Sequence, residues 1–348
     1  MDENLWRRGP CLRANTPDGP RSLADRAVLV SGLRCLVLDG VRSETASAVW
    51  KALASDLAAS GTGGLLLPSP DRAGRWDGLL TEGWLLLAGT VPLGPSAWTA
   101  ASHTGRPPVL HSAEALRAAV PLRQIANEAR RQGRAYLSVA AAAAAICRAA
   151  VNRAADHRKI QRLAERLVRR DLRTATSGGG RVWEGYFTAI GGDGITLGEL
   201  PPGWSLTRLE DPYGAFSGEL LTLLADAGAQ LGLTVVRCRC PLFPDGEPEH
   251  LFFPEAGAVY LTANGFHLPE QEPVRVVNAR RFTVPEEMRR LKARLLENKR
   301  LQRQALAEAA RCLREAADAE DALERLLLPA SEDTPEETAR RLRELTGL

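Results

Sequence analysis

The chain has 348 residues, which is enough for two domains of ordinary size. Its composition, with 45% hydrophobic, 25% charged and 5% aromatic residues, is typical of a globular protein and excludes the fibrous and disordered classes. The formal net charge of +3 excludes a protein that binds polyanions through its overall charge alone.

The sequence predicts a cytoplasmic protein without membrane association. The first ten residues, MDENLWRRGP, lack the apolar segment of a secretory signal. The most apolar stretch, 137–151, is mostly Ala, contains Arg148 and is shorter than a membrane span. The six Cys are scattered without the spacing of a disulfide framework, so we expect reduced thiols.

In chain order, the first half alternates apolar strands with helical patterns. The segment ANTPDGPRSL (14–23) comes first, and the helix ASAVWKALASDLAASG ends at Gly61. Three strands are predicted, at 35–38, 64–70 and 82–92. A long helical region at about 112–173 follows. Alternating strands and helices predict an α/β fold with a parallel sheet that is covered on both faces.

The same order of elements recurs in the second half. AIGGDGITLGEL (189–200) has the Ala, Asp-Gly and Leu spacing of the first segment, and a helix ends at Gly232. Strands are predicted at 206–209, 233–242 and 255–267, followed by a helical region at about 284–345. Thr283 and Thr334 are predicted to cap its helices. We therefore predict two tandem three-layer domains, 1–175 and 176–348, each with a parallel sheet and a long α-helical hairpin.

In each half, the turn after the first strand has the outline of a phosphate-binding loop. An intact loop, G-x-x-x-x-G-K-[ST], holds phosphates with backbone amides and the Lys. The frame GVRSETAS (40–47) keeps the first Gly and the Ser, and EDPYGAFS (210–217) keeps the Ser. The candidate vestigial phosphate-binding residues are Gly40, Arg42, Ser43, Thr45, Ala46, Ser47, Pro212, Gly214, Phe216 and Ser217. Alternatively, the two retained Ser are N-terminal helix residues that satisfy backbone donors.

These residues resemble a family of bacterial tandem P-loop ATPase-like proteins of poorly defined function. The resemblance spans almost the whole chain and includes RWDGLLTEGWLLLAGTVP (75–92), YFTAIGGDGITLGEL (186–200) and VRCRCPLFPDGEPEHLFFPEAGAVYLTANGFH (236–267). It implies two P-loop NTPase domains, each with a helical insertion. It also implies ATP and Mg²⁺ as the ligands of the family.

The chain departs from that family at the positions that carry the chemistry. The family's Lys corresponds to Ala46 and Phe216, and the acidic residue of its magnesium shell corresponds to Ala88 and Thr262. Phosphoryl transfer depends on neutralising charge with Lys and metal. Each lost electrostatic contact typically costs about 3 kcal/mol of transition-state stabilisation. The sequence therefore indicates no catalytic residues, and it assigns no cofactor beyond the ATP and Mg²⁺ of the resembled family.

The predicted function is that of a non-catalytic binding or scaffolding member of the ATPase family, with a protein partner and an oligomeric state that the sequence does not specify. One alternative is a divergent ATP-binding protein with weak ATPase or kinase activity. Another is a polyanion or nucleic-acid binder that uses the basic helices at 121–175, which carry 13 basic and 4 acidic residues. Because no aromatic residues interleave with these Arg, docking against the acidic second half, or a solvated helix face, is favoured over nucleic acid.

One set of residues suits a metal. Cys238 and Cys240 alternate on a strand, and together with His250 and His267 they could hold zinc in a tetrahedral site. The alternative, buried strand thiols without a metal, is favoured because the spacing matches no common zinc module. The other His, at 103, 111 and 157, are isolated and indicate no catalytic triad. The long helices are expected to pack on their own domains rather than to pair as a stalk.

Overall fold

The computed structural model describes residues 10–30, 32–81, 83–105, 111–173, 180–328 and 333–348. The N-terminal segment 1–9 and the expected domain boundary at residue 175 lie outside this part of the chain. The described residues form a mixed α/β structure with sheets that contain parallel strands.

The elements of the first half begin with a β-hairpin and end in two helices. They are β1 (Arg13–Thr16), β2 (Gly19–Ser22), α1 (Ala24–Val30), β3 (Arg34–Asp39), α2 (Ser43–Ala59), β4 (Gly64–Pro68), β5 (Trp76–Thr81), β6 (Trp84–Ala88), α3 (Pro95–Ala100), β7 (Ser102–Gly105), α4 (Ala113–Asn152) and α5 (His157–Leu167). A π-helical turn, Val168–Leu172, extends α5.

The second half also starts with short strands and ends in two helices. They are β8 (Val182–Gly185), β9 (Thr188–Gly191), β10 (Gly194–Leu197), β11 (Ser205–Glu210), α6 (Phe216–Gln230), β12 (Val235–Cys240), β13 (Phe243–Phe253), β14 (Ala258–Ala263), β15 (Arg275–Asn278), α7 (Pro285–Leu327) and α8 (Pro335–Thr346).

The two main sheets share one strand order. The first runs β4-β5-β6-β3-β7, and the second runs β12-β13-β14-β11-β15 with β8 added beside β12. In each sheet, the strand before the candidate loop, β3 or β11, lies between two parallel neighbours. The hairpins β1-β2 and β9-β10 also correspond. The sequence predicted the repeated order of elements along the chain, and the structure adds that the two sheets also share their internal strand order.

The prediction of wholly parallel sheets was wrong. β5 and β13 are antiparallel to both of their neighbours, and they lie where only polar links were expected. β12 ends at Cys240 and β13 begins at Phe243, a connection too short for a parallel crossover. The polar first half of β13, FPDGEP, concealed the strand from a reading of hydrophobic pattern, although its second half, from Pro248 to Phe253, is buried.

The two long helices pair with each other across the halves, contrary to the expectation that each packs on its own domain. α4 and α7 run antiparallel: Gly133 faces Leu313, and near the other end the Cys147 Sγ lies 3.9 Å from the Leu295 carbonyl oxygen. The buried positions of both helices are rich in Ala. Small side chains let the two backbones approach closely along their whole length.

The shorter helix that follows each long helix packs in the core of the other half. α5 packs into the core of the second half through Ile160, Leu163 and Leu167. α8 packs into the core of the first half, where Ala339 and Leu342 lie among the side chains of its sheet and of α2. The limits 1–175 and 176–348 therefore do not separate the two hydrophobic cores, since each core includes a helix from the other half.

Ion pairs between the halves support the predicted docking of a basic first half on an acidic second half. Arg side chains of the first half bind carboxylates of the second in the pairs Arg21–Asp245, Arg26–Glu184, Arg72–Asp318, Arg72–Asp321, Arg75–Asp321 and Arg130–Glu320. The charge asymmetry of the sequence is thus partly consumed inside the molecule.

Of the two predicted helix caps, one is confirmed. Thr334 and Glu337 form a capping box at the start of α8. Thr283 does not cap α7: the capping position is Val284, and the Thr283 hydroxyl donates to the Arg280 carbonyl instead.

The expectation that no segment is long and apolar enough for a membrane span was wrong for α4. By length and composition alone this helix qualifies, with a mean hydropathy of 1.4 over its best 18-residue window, of which 33% is buried. Since core helices of soluble proteins pass the same test, this is weak evidence for a span. The chain has the form of a soluble globular domain, and its cytoplasmic location stays a prediction.

Candidate functional site

The first candidate loop is only three residues long. Gly40, with a left-handed φ of 66°, starts the turn after β3, and α2 already begins at Ser43. Thr45, Ala46 and Ser47 consequently lie inside the helix. The eight-residue frame 40–47 is therefore not a loop, and it cannot wrap around a phosphate in the manner of an intact motif.

A carboxylate from the far end of the chain occupies the N-terminus of α2. Both the backbone N–H and the hydroxyl of Ser43 donate to the Glu324 Oε2 at 2.8 Å. Arg75 donates to the Ser43 hydroxyl and to Asp321, one turn earlier in α7. Arg42 donates to backbone carbonyls at the end of α7. The free amide that attracts an anion at a helix N-terminus is thus bound to a carboxylate of the protein itself.

The remaining residues of the first frame serve the core. Ala46 is completely buried against the sheet, so a Lys at this position would have no path to a ligand. The Ser47 hydroxyl is buried and accepts the backbone N–H of Trp76, the first residue of β5. Ser47 therefore ties α2 to the sheet, and it does not satisfy donors at the helix N-terminus.

The second candidate loop, 211–215, folds around its own acidic residue. The Oδ1 of Asp211 accepts the backbone N–H groups of Tyr213 and Gly214, at 3.2 and 2.9 Å. The Oδ2 accepts those of Phe216 and Ser217, both at 2.8 Å, and the Ser217 hydroxyl at 3.1 Å. Asp211 is 1% exposed. One buried carboxylate thus takes four amides at the point where an intact loop holds phosphate.

In the second loop, an aromatic stack fills the position at which an intact motif has Lys. Phe216 is buried and stacks on Phe282, with ring centroids 4.5 Å apart. Pro212 is exposed on the outside of the turn. Gly214 adopts a left-handed φ of 68°, and the Arg148 guanidinium would lie 3.1 Å from a Cβ there. The loop is closed from inside by Asp211 and from outside by Arg148.

A second cation stands beside this loop. The Lys299 ammonium donates to the Asn264 carbonyl at 3.0 Å and lies over the rings of Phe266, at 4.1 Å, and Tyr213, at 6.0 Å. Burial lowers the pKa of Lys299 to about 8. This Lys comes from α7 and is held by protein groups, so it does not replace the missing Lys of the loop.

The carboxyl edge of the first sheet carries an acid–imidazole pair. Asp39, the last residue of β3, lies 2.7 Å from the His103 Nδ1, and the His103 Nε2 lies 2.9 Å from the Trp98 carbonyl oxygen. The carbonyl of Trp98 and the carboxylate raise the pKa of His103. Both ring nitrogens are occupied, so His103 is paired with an acid, whereas the sequence had indicated that it is isolated.

Neither family ligand fits these two sites. Nucleotide phosphates require backbone amides that are free to bind them, and Mg²⁺ requires an acidic ligand. The two cradles are occupied by Glu324 and Asp211, and the acidic positions hold the buried Ala88 and Thr262. We therefore derive no catalytic step from either loop.

A separate buried cluster contains two of the four residues considered for zinc. One nitrogen each from His250 and His267 and a carboxylate oxygen of Glu249 lie within 4.8 Å of one another. Cys240 is partly buried and lies outside this group, and Cys238 is fully buried in the sheet core. The Cys₂His₂ set, which the sequence allows but does not favour, does not assemble among the described residues, but its two His do meet.

A β-bulge explains why Glu249 joins this cluster. Cys238 pairs with His250 and Arg239 pairs with Pro248, so Glu249 is an extra residue on β13. Neighbouring residues on a regular strand face opposite sides, but a bulge re-aims one of them. Glu249 and His250 therefore converge although they are adjacent in sequence.

Sequence reasoning missed the three acidic residues that define these sites. Asp211 had a local signal, because Asp-Pro followed by Gly favours a turn in which the carboxylate binds nearby amides. Glu249 depends on a bulge that no pattern of residues announced. Glu324 had no signal, since it lies 281 residues from Ser43.

Comparison of the chain with family models, with curated proteins and with solved structures finds no match in any of the three.

Proposed function

We propose that this chain is a non-catalytic binding or scaffolding protein built on two P-loop NTPase-like units whose phosphate sites are closed by internal carboxylates. The observation that carries this proposal is the hydrogen bonding of Asp211 to four loop amides. A nucleotide phosphate would have to displace a buried carboxylate that is 3 Å or so from each of these donors. The first turn agrees with the proposal, because Ser43 donates two hydrogen bonds to the Glu324 carboxylate.

The strand order supports descent from a duplicated unit of this kind. In both sheets the candidate turn follows a strand that lies between two parallel neighbours, and an α-helix begins directly after the turn. Loss of the Lys in both units then removed the charge that nucleotide binding requires. On this proposal the fold serves as a rigid body, in which the α4–α7 pair and the exchanged helices α5 and α8 join the two cores.

Titration with ATP and Mg²⁺, followed by thermal unfolding, tests the proposal. We expect no change in Tm at millimolar nucleotide, because a ligand that binds only the folded state raises Tm. A matched titration with Mg²⁺ alone controls for ionic effects. A rise of several degrees that requires ATP would overturn the closed-site proposal and favour a divergent ATP-binding protein instead.

A second candidate function rests on a separate observation. α5 presents an exposed row of basic residues one turn apart, at Arg158, Arg162 and Arg166, continued by Arg169. Such a row could bind a polyanion through charge alone. Binding of an anionic polymer such as heparin that weakens steeply between 50 and 200 mM salt would support it, and the variant Arg162→Glu/Arg166→Glu should abolish that binding. Absence of binding at low salt would dismiss it.

A further inference from the structure

Glu249, His250 and His267 form a buried cluster that the proposed function does not use. The Glu249 Oε1 lies 3.2 Å from the His267 Nε2, and the Glu249 Oε2 lies 3.5 Å from the His250 Nε2. In a tetrahedral site with bonds of 2.0–2.1 Å, ligand atoms are about 3.3 Å apart. Each of these two distances, one to either carboxylate oxygen, is therefore close to the separation of two ligand atoms on one metal ion.

The cluster contains a buried carboxyl group. Glu249 is 8% exposed, and its two carboxylate oxygens face His250 and His267. Within the described residues, no Lys or Arg forms an ion pair with Glu249. A buried carboxylate with so little compensation is costly unless a cation accompanies it.

The hydrogen-bonding groups around His267 cannot all be satisfied at once. The Asn264 side-chain oxygen accepts the Phe266 N–H, so the Asn264 amide nitrogen faces the His267 Nε2, at 3.1 Å. The Glu249 Oε1 faces the same nitrogen. One ring nitrogen carries either a proton for Glu249 or a lone pair for Asn264, and it cannot serve both. The His267 Nδ1 is buried and without a partner in the described structure, as is the Thr262 hydroxyl.

We propose that Glu249, His250 and His267 bind one divalent transition-metal ion, with Zn²⁺ the best match. Two imidazoles and one carboxylate are ligands that Zn²⁺ accepts, whereas Mg²⁺ prefers oxygen ligands and retained water. The ion supplies the missing positive charge and takes the lone pair of the His267 Nε2 beside Glu249. Because all three side chains are buried, the metal enters as the chain folds.

Existing hydrogen bonds already orient the carboxylate. The Thr188 hydroxyl donates to the Glu249 Oε2 at 2.8 Å, and it also lies 2.8 Å from the His250 Nε2. Hydrogen-bond partners of this kind fix the position of metal ligands. The thiols of Cys238 and Cys240 lie outside the group that meets within 4.8 Å, so the site differs from the Cys₂His₂ arrangement that the sequence allows but does not favour.

His250 is the ligand that has to change. The Thr262 N–H donates to its Nδ1 at 3.2 Å, which leaves the proton of the neutral ring on Nε2, the nitrogen that faces Glu249. Metal binding through Nε2 requires this proton to move to Nδ1 and the bond from Thr262 to break. We therefore expect His250 to contribute less to metal affinity than His267 and Glu249.

The test measures Zn²⁺ content and affinity in the full chain, by mass spectrometry and by competition with a chromogenic chelator. We expect one Zn²⁺ per chain, at least 100-fold weaker binding in His267→Gln and Glu249→Gln, and roughly 10-fold weaker binding in His250→Gln. His157→Gln is the matched control, because His157 is exposed and hydrogen-bonded to Glu219, outside the cluster. Full affinity in His267→Gln would overturn the proposal.

A measurement on the wild-type chain keeps the proposal testable if the variants do not fold. We expect Zn²⁺ to raise Tm and EDTA to lower it, with Mg²⁺ at the same concentration without effect. A wild-type chain that retains no stoichiometric Zn²⁺ and melts at the same temperature with and without the metal would refute the site.

Discussion

The two strand–turn–helix units satisfy their helix N-termini with carboxylates from different places. In the second half, Asp211 lies in the turn itself, is fully buried and binds four amides. In the first half, Glu324 comes from the last turn of α7, is partly exposed and binds one amide and one hydroxyl. A helix N-terminus attracts any nearby anion. The comparison shows that a helix N-terminus can be satisfied by a carboxylate of its own turn or by one from a distant element.

Placing a Lys at either buried position should give the largest effect. We expect Ala46→Lys and Phe216→Lys each to lower the free energy of unfolding by about 3–5 kcal/mol, since both positions are buried in apolar cores. Urea unfolding measures this loss. Thr45→Lys, on the partly exposed side of α2, is the control and should change stability by less than about 1 kcal/mol. Near-wild-type stability together with new ATP affinity in Ala46→Lys would show that the first turn still cradles phosphate.

Removing the local carboxylate should cost about 3 kcal/mol. Asp211→Ala leaves several buried N–H groups without an acceptor, and each such group costs about 1–3 kcal/mol before the loop relaxes. Asp211→Asn retains an acceptor oxygen and should lose roughly half as much. Urea unfolding with Glu210→Gln as control separates the effect from a general loss of charge at this edge. An Asp211→Ala chain as stable as wild type would contradict the internal-anion account.

Removing the distant carboxylate should cost about 1 kcal/mol. Glu324 is partly exposed, so solvent screens its interaction with the N-terminus of α2. We expect Glu324→Ala to increase hydrogen exchange at the start of α2 and at the end of α7, and to leave α6 unchanged. The exchange rates of Glu324→Gln should fall between those of wild type and those of Glu324→Ala. Faster exchange in α6 would mean that the two closures are coupled rather than independent.

The contribution of Lys299, beside the second loop, to stability should depend on pH. Because burial lowers the pKa of Lys299 to about 8, the unfolded chain, with an ordinary Lys, binds more protons between pH 8 and about 10.5. This contribution to stability therefore rises with pH across that window, by roughly 2 kcal/mol between pH 7.5 and 9.5. Lys299→Met should remove this rise, measured as the difference between variant and wild type in urea unfolding at pH 7.5 and 9.5. If the stability difference between Lys299→Met and wild type were the same at both pH values, Lys299 would be solvated in the folded chain and the prediction would be wrong.

Much of the secondary structure could be predicted from local pattern. α2 and α6 were placed within a few residues, because their apolar residues recur at helical spacing and a Gly follows each helix. β3, β4, β11 and β12 were likewise found from short apolar runs. β5 and β13 were missed, since a strand whose residues are mixed in polarity becomes recognisable only from its neighbours in the sheet.

The sequence predicted where the two candidate turns lie but not which side chains fill them. The frames fall where β3 and β11 end, but the length of the first turn depends on where α2 starts, which is set by its contact with α7. His250 and His267 were identified, whereas Glu249 joins them only through the bulge of β13. Long-range contacts and irregular strand pairing have no signature in the order of residues.

The sequence by itself determined the duplicated order of strands and helices, the apolar faces and the opposite charges of the two halves. These are local properties, since periodicity and composition act within one element. Only the tertiary structure decided that α4 pairs with α7, that α5 and α8 exchange cores and that Glu324 closes the first turn. Such pairings depend on which of several apolar faces and carboxylates meet, and that choice is made by the packing of the whole chain.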